Sequence, residues 1–225
     1  MPFVHTVAST IWKDIVVERH TRQTITIMIV FSLAAVIVFN FALELKLDAA
    51  RNVAAGLLWI TILLAGTLGL NRSMATEQEN RSMEAILMAP VDRSALYLGK
   101  VISLNLFMFL LEAFLIPIFV AFSNKPFWRP QVILILILGT IGYVAAGVLV
   151  SSMSIQTRSR DVLLPVLLLP LSLPSVLAAA TATSAFMLPD LPAWSEVQTP
   201  IALVVAFDAL MLTVGFLTYQ YVVEE

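Results

Sequence analysis

Residues Arg72 to Lys100 read RSMATEQENRSMEAILMAPVDRSALYLGK, a polar stretch set between two oily runs, Val53 to Leu70 and Val101 to Phe122. Working outward, the same alternation covers the rest of the chain. Further apolar runs span roughly Thr24 to Leu43, Val132 to Met153, Leu163 to Ala182 and Ile201 to Val222. A hydrocarbon core of about 30 Å takes about 20 apolar residues per helix, so each run is long enough to cross a membrane. The 225 residues are 60% hydrophobic and 12% charged, with a mean hydropathy of +0.93, beyond ordinary soluble domains. The expected fold is all-α, one polytopic transmembrane domain over 1–225 with six spans.

The positions of the cations set the orientation, because short cytoplasmic loops hold the Lys and Arg excess. With the N-terminus inside, Lys13, Arg19, Arg22, Arg72, Arg81, Arg93, Lys100, Arg158 and Arg160 are cytoplasmic, and only Lys46, Arg51, Lys125 and Arg129 lie outside. Thr183 to Pro200 has no Lys or Arg, in keeping with an outer position. Both termini and the opening stretch then face the cytoplasm.

Within that stretch, Thr76 followed by Glu79 has the form of a capping box, predicting a short helix over about 77–88. Pro90 biases Ala89 away from helical geometry and ends it. Asp92 or Ser94 then caps a helix that enters the third span. Met83, Ile86 and Leu87 share one face, while Glu77, Gln78, Glu84 and Arg81 supply polar surface, and Glu79 joins Glu77 and Glu84 in the acid excess. Helices that lie on a membrane surface favour Lys and Arg on the polar face, whereas acids outnumber Arg81 here. A protein partner explains this pattern better than headgroups do.

The N-terminal segment, 3–22, repeats Phe3, Val4, Val7, Ala8, Ile11, Trp12, Ile15 and Val16 at helical spacing, with Ser9, Thr10, Lys13, Asp14 and Glu18 largely on the other side. It is too polar to span and fits an interfacial helix, with Trp12 near the headgroups. The first apolar run begins only near Thr24 and lacks a nearby small-residue cleavage site, so it reads as a retained span rather than a signal peptide.

Several chemistries are excluded. A net charge of −2 argues against nucleic acid, which requires clustered cations. With no cysteine, disulfides, thiolate metal sites and covalent haem attachment are out. The only Gly-Lys pair, Gly99-Lys100, is followed by Val101 and preceded by Ser94 where a phosphate-binding loop needs glycine. His5 and His20 lie outside the spans, which rules out a bis-histidine haem or metal site within them. No catalytic residue set is found.

Two carboxylates, Glu112 and Asp208, sit near span centres, where an ionised acid costs at least about 2.5 kcal/mol. Each is therefore protonated, hydrogen-bonded to a neighbouring helix through Asn105, Asn40 or a Thr, or part of a proton or substrate path. Gly142 with Ala146 and Ala65 with Gly69 allow close helix approach. The fifth span carries Pro165, Pro170 and Pro174, each removing a backbone donor, so the sequence predicts a kinked or broken helix that either lines a pathway or packs.

The run Leu138 to Thr183, LGTIGYVAAGVLVSSMSIQTRSRDVLLPVLLLPLSLPSVLAAATAT, resembles the B-type permease subunit of the haem exporter in bacterial cytochrome c maturation, a membrane component of an ATP-binding cassette (ABC) transporter. The similarity rests on the Arg160-Asp161-Val162-Leu163-Leu164-Pro165 entry and the Leu169-Pro170-Leu171-x-Leu173-Pro174 core. It extends to Trp59 and to Leu70–Lys100, with Glu84, Leu87 and Pro90 in register, and covers about Gly56 to Thr183. Asn80-Arg81 and Asn71 depart from the pattern. The Glu-rich helix, the proline and the Gly-Lys ending are shared by the wider type-2 ABC exporters.

The resemblance implies that residues 77–88 are a coupling helix docked on a separate A-type ATPase subunit, with Pro90 passing its movement into the third span. It further implies two copies of this chain, a haem-handling C-type subunit and a small D-type subunit in the bacterial inner membrane. On the same resemblance the chain itself is expected to bind no cofactor, with ATP serving the partner and haem a substrate of the complex. Three alternatives remain open: a type-2 exporter of a drug, lipid or glycan; an ion-coupled carrier using Glu112 and Asp208; and a structural anchor.

Overall fold

The computed structural model describes residues 3–43, 47–79, 92–154 and 160–224. Seven α-helices fill them: α1 (Phe3–Thr21), α2 (Gln23–Leu43), α3 (Leu47–Glu79), α4 (Arg93–Ser123), α5 (Pro130–Ser154), α6 (Arg160–Phe186) and α7 (Trp194–Glu224). Helices α2 to α7 are each long and apolar enough to cross a membrane. Hydrocarbon offers no partner for backbone N–H and C=O groups, so segments of this length satisfy them internally as helices. The chain is an all-α, polytopic membrane protein, as its hydropathy predicts.

Helix α5 is the centre. It packs against α3, α4, α6 and α7, and 72% of its spanning window is buried, against 17% for α2 and 22% for α7. Tyrosines and a tryptophan tie the inner helices. The Tyr97 hydroxyl of α4 reaches Ala145 O of α5 at 3.1 Å and Met211 O of α7 at 3.2 Å. Tyr143 of α5 donates to Leu63 O of α3 at 2.9 Å. A Cβ on Gly215 would lie 2.1 Å from the Tyr97 oxygen, so the absence of a side chain there lets α7 close on α4.

Local signals explain the ends. Asp92 caps α4, accepting from Ser94 N at 2.9 Å, as its short polar side chain favours. Asn124 closes the same helix in the left-handed conformation, φ 52°. Arg22, at φ 54°, turns the chain from α1 into α2. The Glu18 carboxylate then accepts from Thr24 N at 3.2 Å and Ile25 N at 2.8 Å, satisfying donors that a helix start leaves free. Phe3 stacks near Phe216, ring centroids 6.3 Å apart, and the Ser94 hydroxyl donates to Phe216 O at 3.1 Å. The start of α1, the start of α4 and the last turns of α7 therefore share one end of the bundle. At the other end Arg129 donates to Phe186 O at 2.8 Å and Leu188 O at 2.6 Å, which ties down the exit of α6.

Two expectations are corrected. The Thr76–Glu79 capping box does not form: α3 runs unbroken from the second span to Glu79, and the Thr76 hydroxyl donates back to Arg72 O at 3.0 Å. Of the two forms predicted for α6, kinked or broken, the broken one is not found: its prolines lie inside one continuous helix. The Ser172 hydroxyl donates to Leu168 O at 2.7 Å, within the proline-bearing turns. Helix α1 keeps its apolar residues outward and sets its polar line against the bundle. Its buried residues are Thr6, Thr10, Asp14 and Glu18, while Val4 and Trp12 are 76% and 70% exposed. Beside a bilayer the apolar face has lipid to meet, so the polar line is the one that needs protein.

Candidate functional site

The polar line of α1, set against the bundle, brings four charges together. Lys100 of α4 lies 3.2 Å from Asp14 Oδ2 of α1 and 3.0 Å from Glu77 Oε1 of α3. Lys13 of α1 reaches the same two carboxylates, 3.1 Å from Asp14 Oδ1 and 2.6 Å from Glu77 Oε1. The Ser103 hydroxyl donates to Asp14 Oδ2 at 2.6 Å. Two amines thus bridge two acids in a neutral ring, and the Lys100 side chain is 4% exposed. Burial pushes the Asp14 carboxyl up, but Lys100 and Lys13, with hydrogen bonds from Ser103 and Lys13, outweigh it and hold the group below its ordinary 3.8.

A cavity of about 230 Å³ opens beside the ring, lined by Lys13, Asp14, Glu18, Glu77 and Lys100 and backed by Phe107. Helix α1 reaches this position because Gly99, next to Lys100, has no side chain: a Cβ there would lie 2.7 Å from Thr10 Cβ and 3.2 Å from Val7 O. The Gly99-Lys100 pair, useless as a phosphate loop, allows the close approach and supplies the buried cation.

Among the residues expected to couple to a partner, Glu77 does not belong to an outward polar ring; its side chain is 14% exposed and turned into the cluster. Glu79 ends α3. Arg81, Met83, Glu84, Ile86, Leu87 and Pro90 lie outside the described residues. Asp14, Lys13, Lys100 and Ser103 were missed. The signal for Asp14 was present in the line Thr6, Thr10, Asp14, Glu18, polar at every fourth residue, but nothing in it names the residues it meets.

The intramembrane acids are both buried on faces of α5. Glu112 accepts a hydrogen bond from the Thr140 hydroxyl, the threonine partner foreseen among the alternatives. The Asp208 carboxylate presses on the α5 backbone, where a Cβ on Gly142 would come within 2.0 Å of Oδ1. Thr140 and Gly142 bring one acid from α4 and one from α7 against the central helix. Of the prolines, Pro170 and Pro174 are exposed and Pro165 half-buried, so they face outward from the subunit rather than into its interior. Trp59, by contrast, is buried, and its indole N–H donates to Thr183 Oγ1 at 3.0 Å.

Six membrane-length helices about a buried centre, with paired charges gathered at one end, define a polytopic integral membrane protein. A family model described as CcmB protein matches residues 5–224, and the chain belongs to that family. Among curated relatives, Heme exporter protein B of Pseudomonas aeruginosa is 27% identical over 158 residues, 70% of this chain and 71% of the relative. Heme exporter protein B of Rhodobacter capsulatus is 26% identical over 153 residues, 67% and 69% respectively.

Proposed function

We propose that this protein is the membrane permease subunit of an ABC complex that drives haem export, or release of a loaded haem chaperone, during cytochrome c maturation. The observation that carries the reading is the near-complete CcmB match on a six-span bundle, with two relatives named as haem exporters. ATP is hydrolysed by a separate A-type subunit, and haem is a substrate rather than a resident cofactor. The segment that follows Glu77, with Met83, Ile86 and Leu87 as apolar anchors and Glu79, Arg81 and Glu84 around them, docks on that ATPase, and Pro90 passes the movement to α4.

The complex sits in the bacterial inner membrane with two copies of this chain, a C-type haem-handling subunit and a small D-type subunit. The end where α1, the start of α4 and the last turns of α7 meet faces the cytoplasm, which accords with the cation bias of its loops and puts both termini inside. The exposed Pro170–Pro174 face is then available to the second copy or the C-type subunit.

The test is purification of the tagged chain from its native membrane in mild detergent. An ATPase with a tryptophan-rich haem protein is expected alongside it. An ATPase alone would reduce the reading to an exporter of another substrate, such as a drug, lipid or glycan. With no ATPase, and with transport that follows the proton gradient, the complex would instead be an ion-coupled carrier.

A further inference from the structure

Glu77 stands in the last turn of α3 and Lys100 in the first turns of α4, so the two residues mark the roots of the connection between those helices. Their side chains pair directly at 3.0 Å. Each also pairs with α1: Glu77 with Lys13 at 2.6 Å and Lys100 with Asp14 at 3.2 Å. One turn further on, Glu18 of α1 binds the first amides of α2. A single short helix outside the six spans is thus fastened by charge to three of them, and Gly99 seats it directly on α4.

A buried ion cluster is seldom the most stable filling for such a place, since well-packed apolar side chains often do as well or better. Fixed N–H···O geometry instead resists sliding and rotation of the helices it joins. From this geometry we infer that α1 is a brace, with Asp14 and Lys100 as positioning residues. They hold the roots of the α3–α4 connection in register, so that force arriving there moves α1, α3 and α4 as one body. The inference rests on the reading of that connection as the ATPase-docking segment.

The test uses the full complex in its native membrane with four variants: Asp14→Lys, Lys100→Asp, the two combined, and Lys100→Arg. Three quantities are read: the amount of ATPase subunit that copurifies, the rate of ATP hydrolysis, and the cytochrome c formed per ATP hydrolysed. The two single reversals are expected to keep the ATPase subunit while the yield per ATP falls about tenfold. The double reversal and Lys100→Arg are expected to return to within about threefold of wild type. Single reversals at wild-type yield would sink the brace alone. So would a fall in yield that only tracks loss of the ATPase subunit and is not rescued by the double reversal, since that pattern is purely structural. If the wild-type chain brings down no ATPase, the coupling reading fails and the brace with it.

Discussion

The indole N–H of Trp59, on α3, donates to the Thr183 hydroxyl near the end of α6 at 3.0 Å, with both side chains buried. Trp59 also presses on α5, where a Cβ at Gly139 would lie 2.4 Å from its ring. One side chain therefore registers three helices. Thr183→Val keeps the shape and strands the N–H. It is expected to destabilise the detergent-solubilised chain by about 1 kcal/mol, in the range of interhelical hydrogen bonds in membranes. Gly139→Leu should cost more, because the ring has no room to move. Intrinsic tryptophan fluorescence during thermal unfolding reports both.

Asp208 occupies the space that a side chain at Gly142 would need. Gly142→Ala alone is expected to lower the unfolding temperature through overpacking, about 1–3 kcal/mol. In the background of Asp208→Ala most of that loss should vanish, since the clashing oxygen is gone. The double-mutant cycle measures the coupling, and additive effects would show that the two groups do not touch.

Glu112 accepts from Thr140 in the middle of the bundle. If its part is structural, Glu112→Gln preserves an acceptor at the same place and should leave cytochrome c formation within about twofold of wild type. Glu112→Leu should lower stability by about 1–3 kcal/mol by leaving the threonine hydroxyl unpaired. A strong loss of transport in a stably folded Glu112→Gln chain would instead assign the carboxyl to a proton path.

Asp14 is held below its ordinary 3.8, so its ionised form is favoured by folding. The stability it contributes is complete above the unfolded value and is lost as the pH falls through the lower folded one. The unfolding temperature of the wild type should therefore hold from neutrality down to about pH 5 as far as this group is concerned, then fall more steeply than that of Asp14→Asn. At pH 7 the variant should already be weaker by about 3 kcal/mol, because Lys100 loses one of its two acids. Melting curves in detergent across the pH range decide the matter.

Replacing Met83, Ile86 and Leu87 together with Asp is expected to abolish capture of the ATPase while the chain stays in the membrane at normal level. The three residues share a helical face in the sequence reading, and charging it removes the apolar anchor. A complex that assembles normally with this variant would place the docking surface elsewhere.

How far these residues were readable follows from the kind of signal each carries. The spans were visible because hydrocarbon demands a long run of apolar residues, and that demand is local. Asp92 as a cap was visible for the same reason, its partner Ser94 being two residues away. The opposite holds for the ion ring: Asp14, Glu77 and Lys100 come from three helices far apart in the chain. Their pairing depends on how α1 lies against α3 and α4. The same distance hid Thr140 as the particular partner of Glu112 among several candidates.

The sequence by itself determined a six-span, all-α membrane protein of the haem-exporter permease type, since hydropathy and the Pro165–Pro174 pattern are written along the chain. Only the tertiary structure decided which faces turn inward. In water an amphipathic helix hides its apolar side. Against lipid the apolar side is already at home. The polar line Thr6, Thr10, Asp14 and Glu18 is what has to be buried, and Lys100 with Gly99 supplies the surface that receives it.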